Sequence, residues 1–210
     1  ELPDIEEINW ETHLIQERII SSQKVAGAFF FRHNGEIISE YCHQRIRVFP
    51  SEGGVTVYSV SVVYPEILEL GRQLLDSLNW QGLAMIEFMF DEPTKTWRII
   101  ELNPRLWGSV LLSAFNESLM LQRYVERTLH NKVDVIEASD TKAVYIRWLF
   151  PFDLLALVKG NLKIREFFRF SFKDTCYVNF TYSSFIQAIL FLFYFLFNVA
   201  SIKRFIKKIK

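Results

Sequence analysis

The chain has 210 residues, half of them hydrophobic and 16% aromatic, with 20 phenylalanines. That is enough apolar material to pack a core in one domain with an appendage, and it excludes a disordered chain. The 24 basic and 24 acidic residues cancel to a net charge of +0, so no global field draws the chain to nucleic acid.

Acids crowd the first eleven residues (Glu1, Asp4, Glu6, Glu7, Glu11). Thr12–Ile20 is apolar and β-rich, which predicts a strand. Ala26–His33 predicts a second strand, Asn34-Gly35 a hairpin turn and Glu36–His43 the return. Gln44–Tyr58 continues as strand, with Arg45 and Arg47 alternating onto one face, and breaks at Pro50 and Gly53-Gly54. In Pro65–Leu78, residues Ile67, Leu68, Leu70, Leu74, Leu75 and Leu78 recur at helical spacing behind an N-terminal proline. Leu83–Phe90 and Trp97–Leu102 predict a second strand pair around the polar turn 91–94. Val110–Leu129 predicts helix, Asp134–Pro151 further strand with Ala143–Phe150 as its apolar run, and Asp153–Val158 and Leu162–Phe168 short elements split by Gly160. Cys42 and Cys176 lack CxxC spacing, so reduced thiols in an intracellular chain are expected, and four scattered histidines form no zinc pattern. The chain begins with Glu1 and shows no signal peptide, which suggests a piece of something longer.

The chemically informative stretch is the second strand pair and its exit. Glu101 and Asn103 are two apart, so on an extended strand they share a face. In a hairpin, Glu87 can lie opposite them. Two carboxylates and an amide oxygen then converge, hard donors that suit Mg²⁺ held against nucleotide phosphates. Arg105 follows directly and can meet a phosphate or carboxylate with two parallel hydrogen bonds, while Pro104 stiffens the strand exit. An unpartnered acid inside so apolar a strand is costly, so Glu87 needs a cation or a donor. Trp80 and Trp107 are read as packing residues, and His43 as a structural or exposed strand residue rather than a base.

The strings Gly82-Leu83-Ala84-Met85-Ile86-Glu87-Phe88 and Ile99-Ile100-Glu101-Leu102-Asn103-Pro104-Arg105-Leu106-Trp107-Gly108-Ser109 resemble the closing motif of the ATP-grasp superfamily, in its carbamoyl-phosphate synthase and D-alanine ligase-like carboxylate–amine ligases. The resemblance runs from about Leu14 to Leu129. It implies an α+β fold, the ATP-grasp C-terminal subdomain, with an antiparallel sheet, flanking helices and a hydrophobic C-terminal helix. It implies ATP with Mg²⁺ or Mn²⁺ as cofactors, Glu87, Glu101 and Asn103 as metal ligands, and Arg105 and Arg45 as catalytic residues at the phosphates. Leu14–Ile19 is similar to the family's interdomain hinge, so Gln16, Glu17, Arg18 and Ile19 are implied nucleotide contacts, with Gln16 or Gln23 at the ribose. The sequence departs from the family where Ser21-Ser22-Gln23 replaces a Gly-Glu pair. Gly53-Gly54 with Thr56 looks like the loop covering the substrate. The implied reaction activates a small carboxylate as an acyl phosphate for attack by an amine. A Gly-rich phosphate loop and a lysine are expected upstream of Glu1.

The resulting division is a nucleotide- and metal-binding subdomain over 1–135, an α/β extension over 136–182 and a hydrophobic, basic-ended helix over 183–210. Gln187, Tyr194, Asn198 and Ser201 fall on one stripe of that helix, and Lys203, Arg204, Lys207, Lys208 and Lys210 follow. A helix lying on the inner membrane face is the favoured reading, ahead of a helix packed on the domain or a partner subunit and of a true span. A cytoplasmic, peripheral protein follows, because a single span with its lysines inside would leave the ATP site outside; a homo-oligomer is left open. The alternative function is a membrane-associated, non-catalytic ATP-grasp-like scaffold.

Overall fold

The computed structural model describes residues 11, 16–21, 24–51, 53–116, 118–130, 142–178, 190, 193 and 194. Its centre is a seven-stranded sheet in the order β5-β4-β1-β2-β3-β6-β7. The strands are β1 (Val25–His33), β2 (Glu36–Phe49), β3 (Val55–Val62), β4 (Gly82–Asp91), β5 (Thr96–Asn103), β6 (Tyr145–Arg147) and β7 (Thr175–Tyr177). The expected antiparallel sheet holds from β5 to β6, but β6 and β7 run parallel, so the sheet is mixed. The apolar run Ala143–Phe150 yields only three strand residues, because the chain turns away through Leu149–Asp153 into α4 (Leu154–Val158). Gln16–Ile20, expected as strand, has no regular structure: its carbonyl at Ile20 accepts the Glu92 N–H at 2.8 Å, but no ladder extends it. Residues 131–141 and nearly all of 183–210 lie outside the described residues; Leu190, Phe193 and Tyr194 are helical. No described helix is long and apolar enough to cross a membrane.

Each face of the sheet carries its own core. On one, α1 (Pro65–Ser77) lays the stripe Ile67, Gly71 and Leu75 on Phe30 and Ile86, joined by Ala26, Ala28, Cys42, Ala84, Phe88 and Trp97. A side chain at Gly71 would place its Cβ 2.3 Å from the Phe30 ring, so the close helix–sheet contact requires glycine there. Arg32 fastens the end of α1 by donating to the Asp76 carboxylate (2.8 Å) and the Trp80 carbonyl (2.7 Å). On the other face, Phe29, Phe31, Tyr41 and Met85 pack under Trp107, α2 (Leu112–Phe115) and α3 (Met120–His130). Trp107 lies 4.6 Å from Phe29 between ring centroids and donates its indole N–H to the Tyr41 hydroxyl at 3.1 Å. A third cluster joins Phe49 and Val57 to Ala156 and Leu162, beside α5 (Ile164–Phe167). Both cysteines are buried and unbonded, and burial pushes the Cys42 thiol up to about 12.

Candidate active site

The site is built on the Trp107 face by the register of five strands. Glu87 on β4 stands directly opposite Glu101 on β5 and, on its other side, opposite Gly27 on β1. Gly27 in turn faces His43 on β2, and His43 faces Ser61 on β3. Side chains at paired positions share a face, so one row crosses the sheet as Glu101, Glu87, Gly27, His43 and Ser61. Asn103, two residues from Glu101, pairs with Met85 and so lies on the same face. Beyond Glu101 the ladder slips by one residue, a bulge of the kind that re-aims side chains next to sites.

Of these, Glu101, Glu87, His43 and Asn103 line one cavity of about 760 Å³, together with Arg45, Arg105, Trp107, Ser109, Gly53, Gly54 and Thr56. Of the sequence-expected residues, Glu87, Glu101, Asn103, Arg105 and Arg45 are therefore brought together. Gln16, Glu17 and Arg18 are exposed and Ile19 half-buried on the segment ahead of β1, and none of the four lines this cavity. Gln23 lies outside the described residues. The shared face expected for Arg45 and Arg47 is overturned. Arg45 pairs with Ser59 and Arg47 with Tyr58, neighbours that point to opposite faces, because β2 bulges between them. Arg47 instead stacks over Tyr58 and grips the fully buried Asp153 with two hydrogen bonds of 2.9 and 2.8 Å. Arg147 joins the same carboxylate from β6.

Electrostatics follow from these placements. Glu87 is only 9% exposed, and the Arg45 guanidinium pairs with it, supplying the cation such an acid requires. Glu101 is exposed and has no hydrogen bond or ion pair among the described residues, nor has the Asn103 side chain. His43, 1% exposed, shares a hydrogen bond of 3.2 Å between Nδ1 and the Ser109 hydroxyl, while its Nε2 has no partner. Burial, reinforced by the Arg45 charge, drives its pKa down to about 3, so the ring is neutral. A Cβ on Gly27 would come within 3.0 Å of that Nε2 and 2.9 Å of the Phe29 ring, so the close approach of both rings requires glycine there. Gly54 is held against the Phe49–Pro50 backbone, with its N–H on the Pro50 carbonyl at 2.9 Å. His43, Ser109 and Gly27 were not singled out from sequence as site residues. A lone glycine within Val25-Ala26-Gly27-Ala28-Phe29 was the available signal for a close approach.

Among the described residues no three His, Cys, Asp or Glu side chains converge. The oxygen donors on offer are the two opposed carboxylates and the Asn103 amide, a hard set that fits Mg²⁺ or Mn²⁺ with open positions left for phosphate or water.

The fold is an α+β domain with its cavity over one sheet face, and the solved structures it is similar to include ATP-grasp enzymes. One is an ADP complex of N5-carboxyaminoimidazole ribonucleotide synthetase, 16% identical over 68% of this chain and 38% of that one, with a TM-score of 0.49. Another is the L-amino acid ligase from Bacillus licheniformis, 12% identical over 60% of this chain and 34% of that one, at 0.47. A third is biotin carboxylase from Campylobacter jejuni, 12% identical over 61% of this chain and 30% of that one, at 0.46. The chain thus spans between 30% and 38% of the length of these three structures. No family model matches it, and no curated protein does.

Proposed function

We propose that this chain carries the metal- and phosphate-holding half of an ATP-grasp ligase site, which activates a small carboxylate as an acyl phosphate for attack by an amine. The observation that carries the reading is the face-to-face pairing of Glu87 and Glu101, with Asn103 and two arginines, on the wall of one cavity. A bound divalent cation would neutralise phosphate charge as it develops, held by Glu87, Glu101 and Asn103. Arg105, exposed on the cavity wall, would meet phosphate oxygens bidentately. Arg45 holds the Glu87 carboxylate in the resting chain and stands within reach of an incoming anion. Phosphoryl transfer breaks the bond between the γ-phosphorus and its bridging oxygen, releasing ADP, and forms one to the carboxylate oxygen. The amine nitrogen then attacks the acyl carbon and phosphate leaves. Gln16–Ile19 would hold the base, on a segment tied to the turn after β4 through Ile20.

The test is phosphate release from ATP by the full-length protein, screened against amino acids and other small carboxylates. Glu101→Ala should lower it on the order of a hundredfold, the scale of losing one transition-state charge contact. Unaltered turnover and Mg-ATP affinity in that variant would remove the metal role. Mg-ATP binding that depends on Glu101 without any phosphate release would assign the non-catalytic scaffold function instead.

A further inference from the structure

The stretch from Val158 to Lys173 contributes no residue to that cavity and presents a surface of its own. Val158, Ile164, Phe168, Phe170 and Phe172 are between 38% and 76% exposed. Lys159, Lys163, Arg165, Arg169 and Lys173 are exposed among them, and Glu166 is the one acid of the stretch. Exposed large apolar side chains in this density mark a contact surface, and five cations against one anion state the charge of the partner.

The stretch is held in shape from below. Leu162 is buried with Phe49, Val57 and Ala156, and the Asn161 N–H reaches the Ala156 carbonyl at 2.8 Å. The buried Arg147 donates to the carbonyls of Phe167 and Arg169, each at 2.9 Å, while Asp153 fixes its other side. The Ser171 N–H donates to the Tyr177 hydroxyl at 2.9 Å. The Phe170 and Phe172 rings stack at 6.1 Å, both against Tyr177. The backbone is therefore fixed while the phenylalanines face outward, so burying them elsewhere costs little further ordering.

We propose that this surface docks the protein on an anionic lipid bilayer, with the phenylalanines, Ile164 and Val158 in the headgroup–acyl boundary and the five cations over the phosphates. Two observations favour lipid over a protein or nucleic acid. Aliphatic and aromatic groups are exposed together with cations, whereas a nucleic-acid groove needs aromatics and cations alone. The chain also repeats the same chemistry close by: residues 185–197 are apolar except for Gln187, and five basic residues follow between 203 and 210.

The test is cosedimentation of the full chain with phosphatidylcholine vesicles, with and without about a third phosphatidylglycerol. Binding to the anionic vesicles alone, weakened by salt, is expected. The triple variant Lys163→Gln, Arg165→Gln, Lys173→Gln changes exposed side chains only and should weaken it on the order of a hundredfold. Phe168→Ser with Phe172→Ser should also abolish it. Both losses should persist when Lys203, Arg204, Lys207, Lys208 and Lys210 are all changed to Gln, which separates the patch from the C-terminal segment. Undiminished vesicle binding in the triple variant overturns the proposal. So does self-association, or binding of single-stranded nucleic acid, that is lost with the same substitutions while vesicles are ignored.

Discussion

Acidification from about pH 7.5 to about pH 5 should cost this protein about 2 kcal/mol through His43 alone. In the unfolded chain the imidazole titrates near 6.5, and in the folded chain burial and the neighbouring Arg45 charge lower it to about 3. The depressed value means that the unfolded state takes up a proton which the folded state refuses. The stabilisation is thus fully present above about 6.5 and is lost progressively as pH falls toward 3. Each pH unit in that window is worth about 1.36 kcal/mol, so the roughly 1.5 units down to pH 5 give the figure, whatever the folded value as long as it stays below about 5. Urea unfolding at the two pH values measures the loss. His43→Asn keeps an acceptor for the Ser109 hydroxyl but cannot titrate, so it should lose about 2 kcal/mol less than the parent over the same interval, whatever its stability at neutral pH. Equal pH losses in parent and variant would refute a buried neutral imidazole.

Asp153→Asn should destabilise by about 3–5 kcal/mol in thermal or urea unfolding, because it leaves the guanidinium charges of Arg47 and Arg147 without their buried counterion. Gly71→Ala should cost about 1–3 kcal/mol, since its Cβ would lie 2.3 and 2.5 Å from Phe30 ring atoms. Phe30→Leu in the same chain should recover part of that loss in melting temperature, and no recovery would mean that the contact is not the cause.

Much of the fold was legible because its signals are local. The period of Ile67, Leu68, Leu70, Leu74, Leu75 and Leu78 behind Pro65 marks α1, and Asn34-Gly35 marks the β1–β2 hairpin, with both residues at positive φ. The placing of Glu87 opposite Glu101 followed from the polar turn between their strands. What was not legible depends on register between distant strands. Strict alternation put Arg45 and Arg47 on one face, and a single bulge in β2, invisible in composition, separated them. The parallel pairing of β6 with β7 joins two three-residue strands through a long connection, and three residues carry no period that a sequence reading can detect. His43 gave no sign of burial because its setting depends on Gly27 and Ser109, one a neighbour through the sheet and the other 66 residues away in sequence.

Three members of the row Glu101, Glu87, Gly27, His43 and Ser61 line the cavity: Glu101, Glu87 and His43. The neighbouring row on the same face reads Asn103, Met85, Phe29 and Tyr41, which is ordinary core apart from its first member. A sheet face selected for stability alone would continue that pattern, because a polar group taken from water is destabilising unless fully bonded. Here the Glu87 charge is met by Arg45, and the Ser61 hydroxyl accepts the Val144 N–H at 2.9 Å. The His43 Nε2 is left without a partner, packed close over Gly27. Any side chain at Gly27 would press on His43 and Phe29. The sequence therefore keeps an incompletely satisfied polar row beside a tightly packed apolar one, a local conflict that folded chains concentrate at working sites.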